Sequence, residues 1–143
     1  MSQATYEDAQ LVLRLYELRR EEKMRTARAW FTGTFSANTL QEMNAQCALG
    51  TEENAYFRMV LSYWDMAAAF VTQGIVNEGL FIQVSGEGLF VWEKVRPFVE
   101  DLRASIKNPL FLRNLEEVAL KQIDYMKENA PGAYEAFQER VKT

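Results

Sequence analysis

The sequence predicts an all-α fold, a single-domain bundle of about five to seven helices around a largely buried central helix. Only 7 Gly and 3 Pro occur among 143 residues, which favours long elements joined by few loops. Apolar residues repeat at the spacing of a helix face along most of the chain, and residues 81–84 are the one fragment that resembles a strand. The hydrophobic fraction of 48% is enough for one core, so we expect the domain to span residues 1–143.

The first predicted helix covers residues 6–31, where apolar and polar residues recur with a helical period. Its expected buried stripe begins with three leucines at i, i+4 and i+7: Leu11, Leu15 and Leu18. Gly33 can adopt the left-handed conformation that ends a helix. Thr39 and Glu42 have the spacing of a capping box, which predicts a short second helix that ends at Gly50.

The third predicted helix, residues 52–73, is expected to form the centre of the fold. Thr51 supplies an N-cap before it, and Gly74 supplies a stop after it. Apolar side chains cover most of its circumference. Its polar stripe is narrow and consists of Arg58, Ser62, Asp65 and Thr72. A helix with this pattern is one that other helices surround.

Further helices are predicted over residues 78–84, 89–107, 108–128 and 133–141. Asn77 can cap the first of them, and Pro97 predicts a kink or a new start within the second. Asn108 and Pro109 are the residues typical of an N-cap and a first helical position. Because the loops are short, neighbouring helices are expected to pack antiparallel.

Composition argues against several classes of partner and location. The net charge is −4 and the basic residues are interleaved with acids, so neither nucleic acid nor a membrane surface is an expected partner. The N-terminus lacks the pattern of a signal peptide, and the uncharged stretch 66–77 is shorter than the ~20 residues that span a bilayer. Cys47 is the single cysteine, which is typical of a reducing compartment. We therefore expect a cytoplasmic protein.

The chain also lacks the residues that most catalytic and metal sites need. It has no histidine and one cysteine, which excludes His-dependent triads and thiolate zinc sites. No nucleotide-binding loop or EF-hand is present, and the segment 86–88 has too little glycine to cradle a phosphate. No cofactor or metal is expected, although 20 acidic residues leave carboxylate catalysis or an all-oxygen magnesium site open.

Two charged residues fall on apolar helical stripes. Glu116 lies among Leu112, Ala119 and Ile123, and Arg20 lies in the stripe that continues to Phe31. A buried charge is costly unless it is paired. The two residues therefore predict a polar pocket between helices, one interhelical ion pair, or two side chains that reach solvent.

Polar and aromatic side chains on the central helix form the other candidates. Arg58, Ser62 and Asp65 lie on one stripe beside Trp64, and they would suit a small polar ligand if the stripe faced a cleft. If the stripe faced water, it would be the exposed side of a mostly buried helix. Tyr63, Trp64 and Trp92 could line a pocket or fill an ordinary core.

The segment 62–103 contains short motifs that carry a resemblance to a known family. These are Tyr63-Trp64-Asp65-Met66, Gly74-Ile75-Val76, and Trp92 followed by Pro97 and Arg103, with Asn114-Leu115-Glu116 as an extension. In these motifs the chain resembles a family of small bacterial all-helical domains of unknown function, whose members often carry Glu where Asp65 stands. The resemblance implies a bacterial helical domain, and it brings no reaction or ligand with it.

Three functions fit these observations. The favoured one is a helical interaction or binding module of a bacterial cytoplasmic protein, which binds a protein partner or forms a homodimer through an exposed apolar patch. The alternative is a domain that binds a small molecule in a pocket between helices. An enzyme that uses carboxylates is less favoured, and no catalytic residue is predicted. The candidate pocket residues are Arg20, Arg58, Tyr63, Trp64, Asp65, Trp92 and Glu116.

Overall fold

Helices form all the regular structure of the computed structural model, which describes residues 3–142 and contains no strand in that range. The helices of these residues are α1 (Tyr6–Arg19), α2 (Glu22–Gly33), α3 (Leu40–Gln46), α4 (Glu52–Thr72), α5 (Glu78–Val84), α6 (Gly86–Val95), α7 (Val99–Ser105), α8 (Arg113–Asn129) and α9 (Pro131–Lys142). They pack into one compact body. The all-α prediction is confirmed for the described residues, and the nine helices found there exceed the number predicted.

The higher number arises because two predicted helices are each divided. The predicted helix 6–31 breaks between α1 and α2, where Glu21 has φ −60° and ψ 147° and its side chain accepts a hydrogen bond from the N–H of Met24. Glu21 therefore caps a new helix in place of continuing the first one. The predicted helix 89–107 breaks between Val95 and Val99, where Pro97 lacks the N–H that a helix interior needs.

The start of α8 is a second difference from the sequence-based prediction. Asn108 does not cap the helix, because its Oδ1 atom instead accepts the N–H of Leu110 at 3.0 Å and forms a local turn. The chain then passes through Leu112, whose φ of 59° lies in the left-handed region, before α8 begins at Arg113. The five residues from 108 to 112 are thus a connection and not a first helical turn.

The predicted starts of α3, α4 and α5 and the predicted end of α4 agree with the structure, whereas α3 ends at Gln46, before the predicted Gly50. The hydroxyls of Thr39 and Thr51 accept backbone N–H groups at the starts of α3 and α4, and the side chain of Asn77 does the same for α5. Gly74 has φ 75° after α4, and the N–H of Ile75 donates to the carbonyl oxygen of Phe70 at 2.8 Å. These contacts satisfy backbone groups that a helix end leaves unpaired.

Helix α4 is the centre of the body and contacts α2, α6 and α8. Its buried apolar side chains are Phe57, Val60, Leu61, Trp64, Ala67, Ala68 and Val71. Arg58, Ser62 and Met66 are exposed along one stripe, so the narrow polar stripe faces outward over much of its length. Although α4 is 21 residues long, no helix within residues 3–142 has the combined length and hydrophobicity to cross a membrane.

Candidate functional site

A cleft of about 350 Å³ lies between α1, α4 and α5. Its lining residues are Val12, Leu13, Leu15, Tyr16, Arg19, Tyr63, Trp64, Phe81, Val84 and Ser85. Arg19 is the one charged side chain among these described lining residues, and the remainder are apolar or aromatic apart from Ser85. Leu13 and Val84 are 60% and 49% exposed, so apolar surface is open to a ligand at the cleft.

Two aromatic residues of α4 fix one wall of the cleft. The hydroxyl of Tyr63 donates a hydrogen bond to the carbonyl oxygen of Leu15, which ties α4 to α1. Burial raises the pKa of Tyr63 to about 12, so the phenol is a neutral donor at physiological pH. The Trp64 ring meets the Tyr63 ring edge to face, with 5.1 Å between centroids. Trp64 is buried, and its indole N–H has no hydrogen-bond partner within the described residues.

A cluster of three charges lies beside this wall. Glu87 accepts from Nη1 of Arg19 at 3.2 Å and from Nε of Arg28 at 2.9 Å. Arg28 also donates from Nη1 to the backbone carbonyl of Arg19 at 3.0 Å, which joins the end of α1 to α2. All three side chains are largely shielded from water. Because two guanidinium groups share one carboxylate, the cluster has a formal charge of +1.

The aromatic rings hold the Arg19 guanidinium over the cleft. Its Cζ atom lies 4.9 Å from the centroid of the Tyr16 ring and 5.5 Å from that of Trp64. Gly88 allows the first turn of α6 to approach Trp64, because a Cβ atom at this position would lie 3.0 Å from Cε3 of the indole. This approach brings Glu87, the preceding residue, to Arg19. A cation held against aromatic rings loses little conformational entropy when a ligand binds.

A second groove, of about 720 Å³, runs between α4 and the connection before α8. Arg58, Ser62 and Asp65 line it together with Met66 and Leu110, which is 74% exposed. The polar groups of the stripe are bonded within the protein. Arg58 Nε donates to Asn54 Oδ1 at 3.0 Å, Ser62 donates to the carbonyl of Met59, and Asp65 accepts the N–H of Leu115.

The structure places the seven candidate residues in several different locations. Tyr63 and Trp64 line the cleft, whereas Arg58 and Asp65 line the second groove. Trp92 is buried in α6 and lines neither of these spaces. The single pocket that the sequence suggested for these residues is therefore divided between two faces of α4.

The two charges on apolar stripes do not meet each other. Arg20 is exposed at the end of α1, with its guanidinium 5.3 Å from the centroid of the Tyr16 ring, because the helix that would have buried it breaks there. Glu116 instead accepts from Nη2 of Arg103 at 2.9 Å and from Nη1 of Arg113 at 2.8 Å. Glu116 therefore forms an ion pair between helices, but its partner is the buried Arg103 of α7 and not Arg20.

Glu100, Arg103, Arg113 and Glu116 form a second charge cluster. Arg103 is its most buried cation, with 3% of its side chain exposed. It donates from Nε to the carbonyl oxygen of Phe111 at 2.7 Å and also pairs with Glu100. These contacts hold the connection 108–112 against α7. The cluster is therefore explained by a structural role.

Arg19, Arg28 and Glu87 are not among the candidate residues predicted from the sequence. A local signal for the break is that the stripe of Leu11, Leu15 and Leu18 is not continued on the same helix face, where Glu22 and Arg25 follow. Arg19 is the first residue of the charge run 19–23 at this break, and its side chain is only 16% exposed. The pairing with Glu87, 68 residues away, depends on tertiary packing that no local pattern reveals.

A metal centre and a reactive thiol are two further kinds of site that titratable groups can form. Within residues 3–142, no group of three or more His, Cys, Asp or Glu side chains lies close enough to hold a metal ion. Cys47 is buried and donates to the carbonyl of Met43 at 3.2 Å, and burial raises the pKa of its thiol to about 11. A thiol with such a pKa is protonated near neutral pH and is a poor nucleophile.

The protein is thus a small helical domain with a largely apolar cleft beside its central helix. The chain belongs to the family described as "Domain of unknown function (DUF4760)", whose model matches residues 4–122. The match includes the segment on which the resemblance rested and extends well beyond it, and it ends within α8. No curated protein and no solved structure matches the chain.

Proposed function

We propose that this chain is a binding domain that holds a small, largely apolar molecule in the cleft between α1, α4 and α5. The observation that carries the proposal is the cleft itself, which has a volume of about 350 Å³ and an aromatic wall formed by Tyr63 and Trp64. Ligand pockets in proteins occupy about 300–1,000 Å³ and are mostly apolar with a few polar groups. The single cysteine and the resemblance favour a bacterial cytoplasm as its location.

The wall of the cleft is fixed before any ligand arrives. The Tyr63 hydroxyl is bonded to the backbone of α1, and Trp64 is packed between Tyr63 and the glycine at position 88. A preformed apolar site gains affinity because little conformational entropy is lost when the ligand binds. Leu13 and Val84 offer exposed apolar surface that a ligand would cover.

Methyl NMR with octanol as a neutral probe tests the proposal. We expect the methyl signals of Val12 and Val84 to shift and saturate, because both residues line the cleft, whereas the signals of Leu120 on α8 stay unchanged. The Leu13→Glu variant should weaken binding, and Leu120→Glu, at an exposed leucine outside the cleft, is its matched control. Shifts that do not saturate, or equal effects of the two variants, would refute the proposal.

A second candidate function is association with a protein partner or a second copy of the chain through the second groove. The observation that favours it is the exposure of Leu110 and Met66 along that groove. Light scattering should then give a mass above that of one chain, and Leu110→Ser should reduce it. Leu49→Ser, at a leucine that is 89% exposed elsewhere, is the control. A monomeric mass at all concentrations would count against self-association.

A further inference from the structure

We infer that the ligand of the cleft carries a carboxylate, and that Arg19 is the residue that binds this group. The inference rests on the proposed function, because it concerns the same cleft. It adds the chemical class of the ligand, a monocarboxylate with an apolar chain or ring. Four features of the charge cluster and the cleft support it: charge, free donors, orientation and size.

The cluster of Arg19, Arg28 and Glu87 has one surplus positive charge, which a bound anion would neutralise. Within residues 3–142, Glu87 is the single carboxylate paired with Arg19 and Arg28, and each of the three side chains is at most 26% exposed. Charges that are shielded from water are screened weakly by solvent, so a surplus positive charge there attracts an anion more strongly than one on the surface. One further negative charge would bring the cluster to neutrality.

Arg19 has hydrogen-bond donors left for that anion. Within residues 3–142 its guanidinium donates to Glu87 from Nη1 alone, whereas an arginine side chain has five N–H donors. A guanidinium offers two parallel donors that match the two oxygens of a carboxylate. Arg28 is less suited to this role, because its Nε and Nη1 atoms are bonded to Glu87 and to the Arg19 carbonyl, and it does not line the cleft.

The surroundings of Arg19 orient it toward the cleft. Glu87 holds one side of the guanidinium, and the rings of Tyr16 and Trp64 lie beneath its central carbon at 4.9 and 5.5 Å. Arg28 in turn holds Glu87 through both carboxylate oxygens, at 2.9 and 3.0 Å. Glu87 and Arg28 are therefore positioning residues, and Arg19 is the group that would touch the ligand.

The size and lining of the cleft select a small monoanion. A helix with its side chains is about 10–12 Å across, which is too wide for a cavity near the lower end of the ligand-pocket range. One surplus charge matches a carboxylate better than a phosphate monoester, whose charge approaches −2. The apolar lining next to Arg19 then accommodates an alkyl or aryl group attached to the carboxylate.

Calorimetric titration of the full chain with octanoate, octanol and octylamine tests the inference. These probes share one chain and differ in the charge of the head group. We expect octanoate to bind about tenfold or more tightly than octanol, and octylamine to bind more weakly than either, because a charge-assisted hydrogen bond contributes at least this much. This comparison uses the unmodified protein, so it does not depend on whether a variant folds.

Two variants then assign the effect to one residue. Arg19→Gln should lower the ratio of octanoate affinity to octanol affinity about tenfold or more. Arg14→Gln, at an exposed arginine on the same helix, should leave this ratio unchanged. Equal binding of octanoate and octanol, or an unchanged ratio in Arg19→Gln, would overturn the inference while the proposed function stands. If none of the probes binds, the proposed function itself fails.

Discussion

The carboxylate of Asp65 on the central helix accepts a hydrogen bond from the backbone N–H of Leu115, 3.0 Å away in the first turn of α8. The N-cap position of α8 is occupied by Leu112, whose side chain has no acceptor to offer. Asp65 therefore supplies from another helix the acceptor that a local Ser, Thr, Asp or Asn would normally supply. Its negative charge also lies at the positive end of the α8 dipole.

Removal of this acceptor should destabilise the fold. We expect Asp65→Ala to lower the free energy of unfolding by about 1–2 kcal/mol, the loss seen when an N-cap is removed. Asp65→Asn keeps an acceptor oxygen and should cost less. Urea denaturation followed by circular dichroism measures both. Ser62→Ala is the control, because Ser62 is exposed on the same face and bonds to a carbonyl of its own helix. A loss no greater than that of Ser62→Ala would contradict the role given to Asp65.

This contact shows why some elements could be predicted from the sequence and others could not. The caps at Thr39, Thr51 and Asn77 and the interruption at Pro97 are signalled within a few residues of the helix end. The cap of α8 comes from Asp65, 50 residues away, and so Asn108 and Pro109 gave a plausible but wrong start. Local chemistry predicted helix ends only where the capping group is local.

The residues of the candidate site also fall into two groups, those that a local sequence pattern indicates and those that depend on distant contacts. Tyr63 and Trp64 could be selected because large aromatic residues on a central helix are typical of pockets as well as cores. Arg19 could not be selected, because its position at the cleft depends on a turn at Glu21 and on the distant Glu87. Glu116 was recognised as a charge that needs a partner, and the partner proved to be Arg103 on the neighbouring α7.

Loss of Arg103 should be far more costly than loss of one of its exposed partners. Arg103→Met removes the donors for Glu116 and for the Phe111 carbonyl, and we expect it to lower the free energy of unfolding by about 3 kcal/mol. Glu100→Gln is the matched comparison, because Glu100 contacts the same guanidinium but is 74% exposed, and its loss should cost less than about 1 kcal/mol. Similar losses from both variants in urea denaturation would show that burial of Arg103 is not what matters.

Cys47 should make the stability of the fold depend on pH in the alkaline range. Burial, with a contribution from the charge of Glu53, raises the pKa of the thiol from 9.0 to about 11. The folded state thus retains this proton to higher pH than the unfolded chain. The stability that Cys47 contributes is therefore complete below about pH 9 and is lost as the pH rises toward 11.

Comparison with Cys47→Ala isolates this contribution. The variant lacks the thiol, whereas Tyr63 and Tyr134 titrate in both proteins and cancel in the difference. We expect the difference in free energy of unfolding between the unmodified protein and the variant to shrink between pH 8.5 and pH 10.5, a range chosen to span the unfolded pKa. Urea denaturation at each pH measures it. A difference that stays constant would mean that folding does not shift the pKa of the thiol.

Tyr134 should determine whether α9 remains docked on α6. Its hydroxyl donates to Oε1 of the buried Glu93 at 2.6 Å, and Nη2 of Arg96 lies 3.0 Å from the other carboxylate oxygen. Tyr134→Phe would leave Oε1 of Glu93 buried without its donor, at a cost of about 2 kcal/mol for a hydrogen bond to a charged group. A second docking contact, Phe137 against Phe90 with 6.2 Å between centroids, would remain.

Hydrogen exchange can separate undocking of α9 from a general loss of stability. Helix α9 lies outside the family match, which ends at residue 122, and it packs on α6 and α8 at one end of the chain. We expect Tyr134→Phe to accelerate amide exchange in α9 and to leave α4 unchanged, because local opening requires only the docking free energy. Tyr125→Phe, at an exposed tyrosine of α8, should change neither helix. Accelerated exchange in α4 as well would show that α9 unfolds together with the core, and unchanged exchange in α9 would show that the Glu93 contact does not hold it.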